Sequence, residues 1–284
     1  MNNNEWINPK LILSDIDGTF IYDDASISKK TIATLNNLIN QDPSYHFGLI
    51  TGRACLHALY LYDQIGLHNT GFLIGNNGTQ ILNALTKEVI EEHTLDPAIT
   101  AKIYAKLMEI VKHNHQMQIF VNYNQQPLVY IYNIPSSFWN VYNYGNVLQQ
   151  HDTFDPNGIL LFTMFHADED VKELEEFIKP FHVSSLSEDG AIAIWCYGVS
   201  KQTAILSLLN KYHIKNHDVC VFGDAINDKS MFEIPNVYSV TYTKAKDYLQ
   251  KIASKVIAEP KSDFIAAGIN SFVNYLAKEG NNHE

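Results

Sequence analysis

Short apolar runs alternate along the chain with longer stretches whose apolar residues recur at helical spacing. Lys10–Asp15 (KLILSD) predicts a buried strand, and Ser28–Gln41 a helix with Ile32, Leu35, Leu38 and Ile39 on one stripe. Phe47–Ile50 predicts a second strand, Cys55–Ile65 a second helix, and Phe72–Ile74 a third strand closed by the turn-forming Gly75-Asn76-Asn77-Gly78. This βαβαβ succession marks a parallel sheet wrapped by helices. The pattern returns late in the chain. Lys201–Tyr212 is helical, with Ile205, Leu208 and Leu209 as its stripe. Val219–Phe222, Val237–Val240 and Lys255–Ala258 read as strands, and a last helix covers Asp263–Ala277.

Between these halves the texture changes to hairpins and helices. Ile99–Val111 predicts a helix. Met117–Tyr123 and Leu128–Tyr132 predict two antiparallel strands joined across Asn124-Gln125-Gln126-Pro127. A strand at Ile159–Phe165, a helix at Asp168–Lys179 and a strand at Ala191–Cys196 follow. The chain therefore divides into an α/β core, residues 1–84 and 190–284, and an inserted α+β domain at 85–189.

With 284 residues the chain is long enough for a full core plus a smaller second domain. Its apolar runs stop well short of the roughly 18 residues that span a bilayer. Met1–Glu5 carries no basic patch and no apolar signal core follows, so neither a membrane anchor nor secretion is expected. Three cysteines, Cys55, Cys196 and Cys220, do not make a disulfide framework, and Cys196 and Cys220 sit in apolar runs as buried thiols would. The expected compartment is the reducing cytoplasm. A net charge of −11 opposes association with nucleic acid or anionic membranes, but not with a small phosphorylated molecule where a bound cation inverts the local field.

The candidate chemistry lies just past the predicted strands, where open parallel sheets bind ligands. Asp15-Ile16-Asp17-Gly18-Thr19 follows the first strand. Two carboxylates at i and i+2 can project to one side and suit a divalent cation, although a loop that merely holds acids fits the bare motif equally well. Thr51-Gly52-Arg53 follows the second strand as a ready anion site, with helix capping by Thr51 and a structural ion pair at Arg53, the only arginine, as alternatives. Lys201 opens a helix, a placement the dipole disfavours by about 0.3–1 kcal/mol. Gly223-Asp224-Ala225-Ile226-Asn227-Asp228 follows another strand, and a helical turn would put Asp224 and Asp228 on one face; a turn with an N-cap at Asn227 or Asp228 is the alternative.

The ordered set Asp-x-Asp-Gly-Thr, Thr-Gly-Arg, Lys and Gly-Asp-x-x-Asn-Asp on this α/β pattern resembles the haloacid dehalogenase superfamily of phosphatases. The insertion between the second and third motifs is similar to that of the type IIB branch, the Cof-like sugar phosphatases. The resemblance implies a Rossmann-like core with the insertion as a cap over the site. It further implies that Asp15 is a nucleophile forming an aspartyl-phosphate and Asp17 the acid, then base. Mg²⁺ would be held by Asp15, the Asp17 main-chain carbonyl and Asp224, with Asp228 in support. Thr51 and Gly52 would hold the phosphoryl oxygens, Lys201 would offset charge, and Asn227 would touch substrate. The chain departs from the pattern in having Gln202 where many relatives have glycine, and Thr241-Tyr242-Thr243 where Gly-Asn-Ala is common.

The expected partner is a small phosphate ester, in a monomer or small homo-oligomer. Phosphomutase or phosphotransferase action, a phospho-accepting signalling domain and a non-catalytic phosphate-ligand binder are the competing readings. In the cap, Tyr123, Tyr130, Tyr132, Trp139, Tyr142 and Tyr144 read chiefly as cap core or hairpin face, with contact to a sugar or base as the alternative. His113 and His115 read as surface.

Overall fold

The computed structural model describes residues 8–21, 26–67, 71–125, 128–133, 149–151, 153–167, 170–188, 190–258 and 263–281. Trp139, Tyr142, Tyr144, Asp168, Asp189 and part of the 124–127 turn lie outside these residues.

Fourteen strands form two sheets among the described residues. In chain order the first five are β1 (Lys10–Ser14), β2 (Tyr45–Ile50), β3 (Gly71–Gly75), β4 (Gln80–Asn83) and β5 (Val89–Glu92). Next come β6 (Gln118–Tyr123), β7 (Leu128–Tyr132), β8 (Gln149–His151), β9 (Ile159–Phe165), β10 (Val183–Glu188) and β11 (Ala191–Cys196). The last three are β12 (Val219–Phe222), β13 (Tyr238–Tyr242) and β14 (Lys255–Ile257). The larger sheet runs β14-β13-β12-β1-β2-β3-β4-β5; it is parallel from β14 through β3, and β4 and β5 are antiparallel. The smaller sheet runs β10-β11-β9-β6-β7-β8 and is antiparallel except at β7–β8.

The helices are α1 (Lys29–Gln41), α2 (Tyr60–Ile65), α3 (Pro97–Ile110), α4 (Val171–Ile178), α5 (Lys201–Tyr212), α6 (Lys229–Phe232), α7 (Asp247–Ile252) and α8 (Phe264–Asn281). Because side chains alternate along a strand, β1 feeds two cores. Ile12 packs with residues of α1, α2 and α8, and Leu11 and Leu13 with residues of α5, α6 and α7. On β12, Cys220 and Phe222 join the first core and Val219 and Val221 the second. This alternation makes the central strands read as continuous apolar runs.

The smaller sheet uses the same parity once. Ile119, Val121 and Tyr123 of β6 and Phe162 and Met164 of β9 pack with residues of α3 and α4. The opposite parity faces the larger sheet's strand ends.

The sheets divide the chain at other points than residues 85 and 189. Val89–Glu92 pairs with β4 in the larger sheet, and Ala191–Cys196 pairs with both β9 and β10 in the smaller one. A boundary between 189 and 190 would cut the β10–β11 hairpin, whose six residue pairs hold both strands in one sheet. The predicted helix at Cys55–Ile65 is a 3-10 turn at Cys55–His57 followed by α2.

Candidate active site

Three loops converge where β12, β1 and β2 end side by side. Asp15 continues β1, its N–H donating to Phe222 O of the neighbouring strand at 3.0 Å. Gly18, at φ +80°, turns the chain back: a Cβ there would lie 2.6 Å from Asp224 Oδ2. Thr19 donates its hydroxyl to Asp224 Oδ1 at 2.7 Å, tying the first and last motifs together across 205 residues.

Lys201 opens α5 with its side chain 1 % exposed. Ser200 caps the helix, its hydroxyl accepting from Thr203 N at 3.2 Å while its own N–H donates to the Thr203 hydroxyl oxygen at 2.8 Å. Gly78, at φ +107°, lets the loop after β3 pass this cap; a Cβ there would meet Ser200 O at 2.4 Å. Lys201 Nζ donates to Asp15 Oδ1 at 2.7 Å and to Asp228 Oδ1 at 2.6 Å. Asp228 is fully buried, and its Oδ2 accepts from Asp224 N (2.9 Å) and Ala225 N (3.0 Å). Both oxygens of Asp228 are thus committed to bracing the lysine and the Asp224 loop. Thr241 adds to that brace: its buried hydroxyl donates to Gly223 O at 2.8 Å.

Burial pushes the Asp15 carboxyl well above its ordinary value; Asp228 adds to the rise and Lys201 opposes it. For Lys201 burial works against the charge, but Asp15 and Asp228 outweigh it and hold the ammonium charged.

Thr51 is buried, with its N–H on Ile74 O at 2.9 Å and its hydroxyl oxygen accepting from Arg53 N at 3.1 Å. The loop after β3 secures it further: Asn77 N donates to Thr51 O at 3.1 Å and Asn76 N to Arg53 O at 2.8 Å. Arg53 forms an ion pair with Asp17. Its Nε donates to Asp17 Oδ2 at 2.7 Å and its Nη2 to Asp17 Oδ1.

A cavity of about 400 Å³ opens above these groups, with Asp15, Asp17, Thr51, Gly52, Arg53 and Asn227 in its lining. Lys201, Asp224 and Asp228 lie beside Asp15 outside that lining. The smaller sheet roofs the cavity through its outward parity, including Phe120 and Asn122 of β6 and Leu161, Thr163 and Phe165 of β9. Sequence reasoning missed these residues and His57 and Asn77 of the core. The available signal was the parity of β6, in which polar Asn122 alternates with apolar Val121 and Tyr123. Asn122 Nδ2 donates to Asn76 Oδ1 at 2.7 Å, both side chains being buried, which ties roof to core. Tyr123 faces the other way: it is buried in the cap core, its hydroxyl accepting from Asp155 N at 3.2 Å.

The carboxylate oxygens of Asp15, Asp224 and Asp228 fall within 4.8 Å of one another. Such a set is all-oxygen and anionic, the donor chemistry of a hard divalent cation, and it fits Mg²⁺. His113 also approaches Asp170, at 3.3 Å, but its ring is exposed.

The model for the haloacid dehalogenase-like hydrolase family matches residues 12–269. The chain belongs to that family. The motifs read from the sequence pointed to the same family, and the α/β architecture with a separate antiparallel sheet agrees with it. It is 23 % identical over 276 residues to the 5-amino-6-(5-phospho-D-ribitylamino)uracil phosphatase YitU of Bacillus subtilis (strain 168), spanning 93 % of this chain and 97 % of that one. Among solved structures, a haloacid dehalogenase-like hydrolase from Bacteroides thetaiotaomicron superposes with a TM-score of 0.77 at 19 % identity, covering 93 % of this chain and 99 % of the other. A subclass IIB sugar phosphatase of the superfamily gives 0.74 at 20 % identity, covering 93 % and 98 %. At these identities the superpositions establish the shared fold. Among the described residues, no helix is long and apolar enough to cross a membrane.

Proposed function

We propose that this hydrolase is a Mg²⁺-dependent phosphatase of small phosphate monoesters, sugar phosphates foremost, working through an aspartyl-phosphate on Asp15. The observation that carries the reading is the buried Lys201 ammonium, which joins Asp15 and Asp228 beneath a cavity also lined by Thr51 and Gly52. A lysine so placed neutralises the nucleophile's surroundings and receives an anionic group above it.

Asp15 attacks phosphorus, and the bond from phosphorus to the leaving oxygen breaks as Asp17 supplies that oxygen with a proton. Asp17 then takes a proton from the water that attacks the aspartyl-phosphate, releasing phosphate and regenerating Asp15. Arg53 holds the ionised Asp17 carboxylate at the rim as the base of the second transfer; for the first, Asp17 carries a proton on one oxygen and gives up the Arg53 bond to it. The Thr51 N–H is committed to Ile74, so Thr51 serves the phosphoryl oxygens through its hydroxyl, with the Gly52 N–H beside it. Asp15, Asp224 and the Asp17 main-chain carbonyl would hold Mg²⁺, with Asp228 in support; the ion supplies charge neutralisation at the phosphoryl oxygens. The roof excludes water and contacts the leaving group. Three unpaired cysteines accord with a cytoplasmic setting.

The test is phosphate release from sugar phosphates, nucleotides and an aryl phosphate with Mg²⁺, wild type beside Asp15→Asn. Release by wild type alone supports a phosphatase. Formation of a phosphorylated acceptor sugar, with the donor ester consumed and little phosphate released, would convert the reading to a phosphotransferase.

A further inference from the structure

Glu188 ends β10 and belongs to the cavity lining. Its Oε1 lies 3.2 Å from Lys246 Nζ, which comes from the loop before α7 and lies outside that lining. A lining residue therefore carries a carboxylate whose counter-cation comes from outside the lining. The other lining charges are already engaged. Asp15 is held by Lys201, Asp17 by Arg53, and His57 is kept neutral, its pKa lowered to about 4 by burial and the nearby Arg53 charge. Over this floor the roof is chiefly apolar. The Phe120 and Phe165 rings meet edge to face with centroids 6.0 Å apart, and Leu161 and Leu186 flank them. The roof lining also holds polar Asn122, whose Nδ2 donates to Asn76, and Thr163.

We infer that Glu188 selects against a second negative charge on the leaving group, so that the preferred substrates are monophosphate esters whose leaving group is neutral or cationic and presents an apolar face. The inference rests on the phosphatase reading above and names its substrate class. One phosphoryl dianion is met at the floor by Lys201. A second would come toward the roof, where the lining cation Arg53 is already engaged by Asp17 and the Glu188 carboxylate repels the added charge. A leaving group with an amine or hydroxyl donor gains an acceptor there, and its carbon face meets Phe120 and Phe165.

The pair admits a test whose sign separates selectivity from mere attachment of cap to core. Glu188→Gln removes the repelling charge, whereas Lys246→Gln leaves it uncompensated. The measurement is kcat/KM, with Mg²⁺, for a hexose 6-phosphate, the matching hexose 1,6-bisphosphate and an aryl phosphate. Wild type should favour the monophosphate over the bisphosphate. Glu188→Gln should lower that ratio by roughly fivefold or more, and Lys246→Gln should raise it. A structural tie would make both variants change in the same direction, through KM for all three compounds, and that result overturns the inference, as does an unchanged ratio. Turnover of none of the three by wild type would instead overturn the phosphatase reading, and this inference with it.

Discussion

Lys201 Nζ lies 2.7 Å from Asp15 Oδ1, although 186 residues separate the two. The contact exists because Ser200 caps α5 beside the end of β1, so the first residue of the helix points under the nucleophile rather than into solvent. A cation at a helix start is disfavoured by the dipole, and here two buried carboxylates offset that cost. Lys201→Met should abolish phosphate release. It should also destabilise the metal-free protein by about 3–5 kcal/mol, the cost of leaving a buried ion pair with one partner removed. Denaturant unfolding without Mg²⁺ checks the second figure; an unchanged midpoint would mean that Asp15 and Asp228 do not depend on the lysine.

The roof and the core are joined by the amide bond of Asn122 to Asn76. Asn122→Ala leaves the buried Asn76 carbonyl oxygen without that donor, a cost of about 1–3 kcal/mol. Because the bond ties the roof to the core and touches none of the reacting groups, KM should rise by more than kcat falls. Steady-state kinetics on a monophosphate decide this: a fall confined to kcat would place Asn122 in the chemistry instead.

Gly18 is required where it stands. Alanine there would strain a backbone at φ +80° by about 1 kcal/mol or more and drive its Cβ into the Asp224 carboxylate. Gly18→Ala should weaken Mg²⁺ binding, read by calorimetry, and lower kcat/KM at limiting Mg²⁺. Unaltered Mg²⁺ affinity would remove Asp224 from the metal site.

Stability should fall in mild acid, partly for a reason unrelated to the site. Burial of His46 within β2 lowers its pKa from the ordinary 6.5 to about 4. Above about pH 6.5 the folded and unfolded chains agree in binding no proton there. Between about 6.5 and 4 the unfolded chain binds one and the folded chain does not, so stability is lost as pH falls. His46→Gln should reduce that loss, leaving the part that His57 contributes through the same downward shift, read as the urea midpoint at pH 7.5 and at pH 5. A profile identical to wild type would assign the loss to other groups.

Much of the core was legible because parallel strands buried on both faces, such as KLILSD and VCVF, leave unbroken apolar runs ended by Gly and Asp. The motif loops were legible for the same reason: each begins where such a run stops. The edge strands β5 and β10, and β4 beside β5, were not. Gln80–Asn83, Val89–Glu92 and Val183–Glu188 are polar or serine-rich, and their strand character comes from pairing with a neighbour rather than from local pattern. The two halves of the site also differed in legibility. Core residues announce themselves by chemistry, whereas Phe120, Leu161 and Phe165 are ordinary apolar strand residues, distinguished only by the parity that turns them toward the cavity. Arg53 carried two readings in sequence, and its ion pair with Asp17 appears only in the structure.

The central claim is that Asp15 carries the phosphoryl group during turnover. Wild-type protein mixed with Mg²⁺ and a turned-over monophosphate, quenched in acid within the first turnovers and mapped by mass spectrometry, should show one phosphoryl group on the peptide containing Asp15, absent in Asp15→Asn. Phosphate release at a normal rate by Asp15→Asn, or a phosphoryl group on any other residue, would contradict the account.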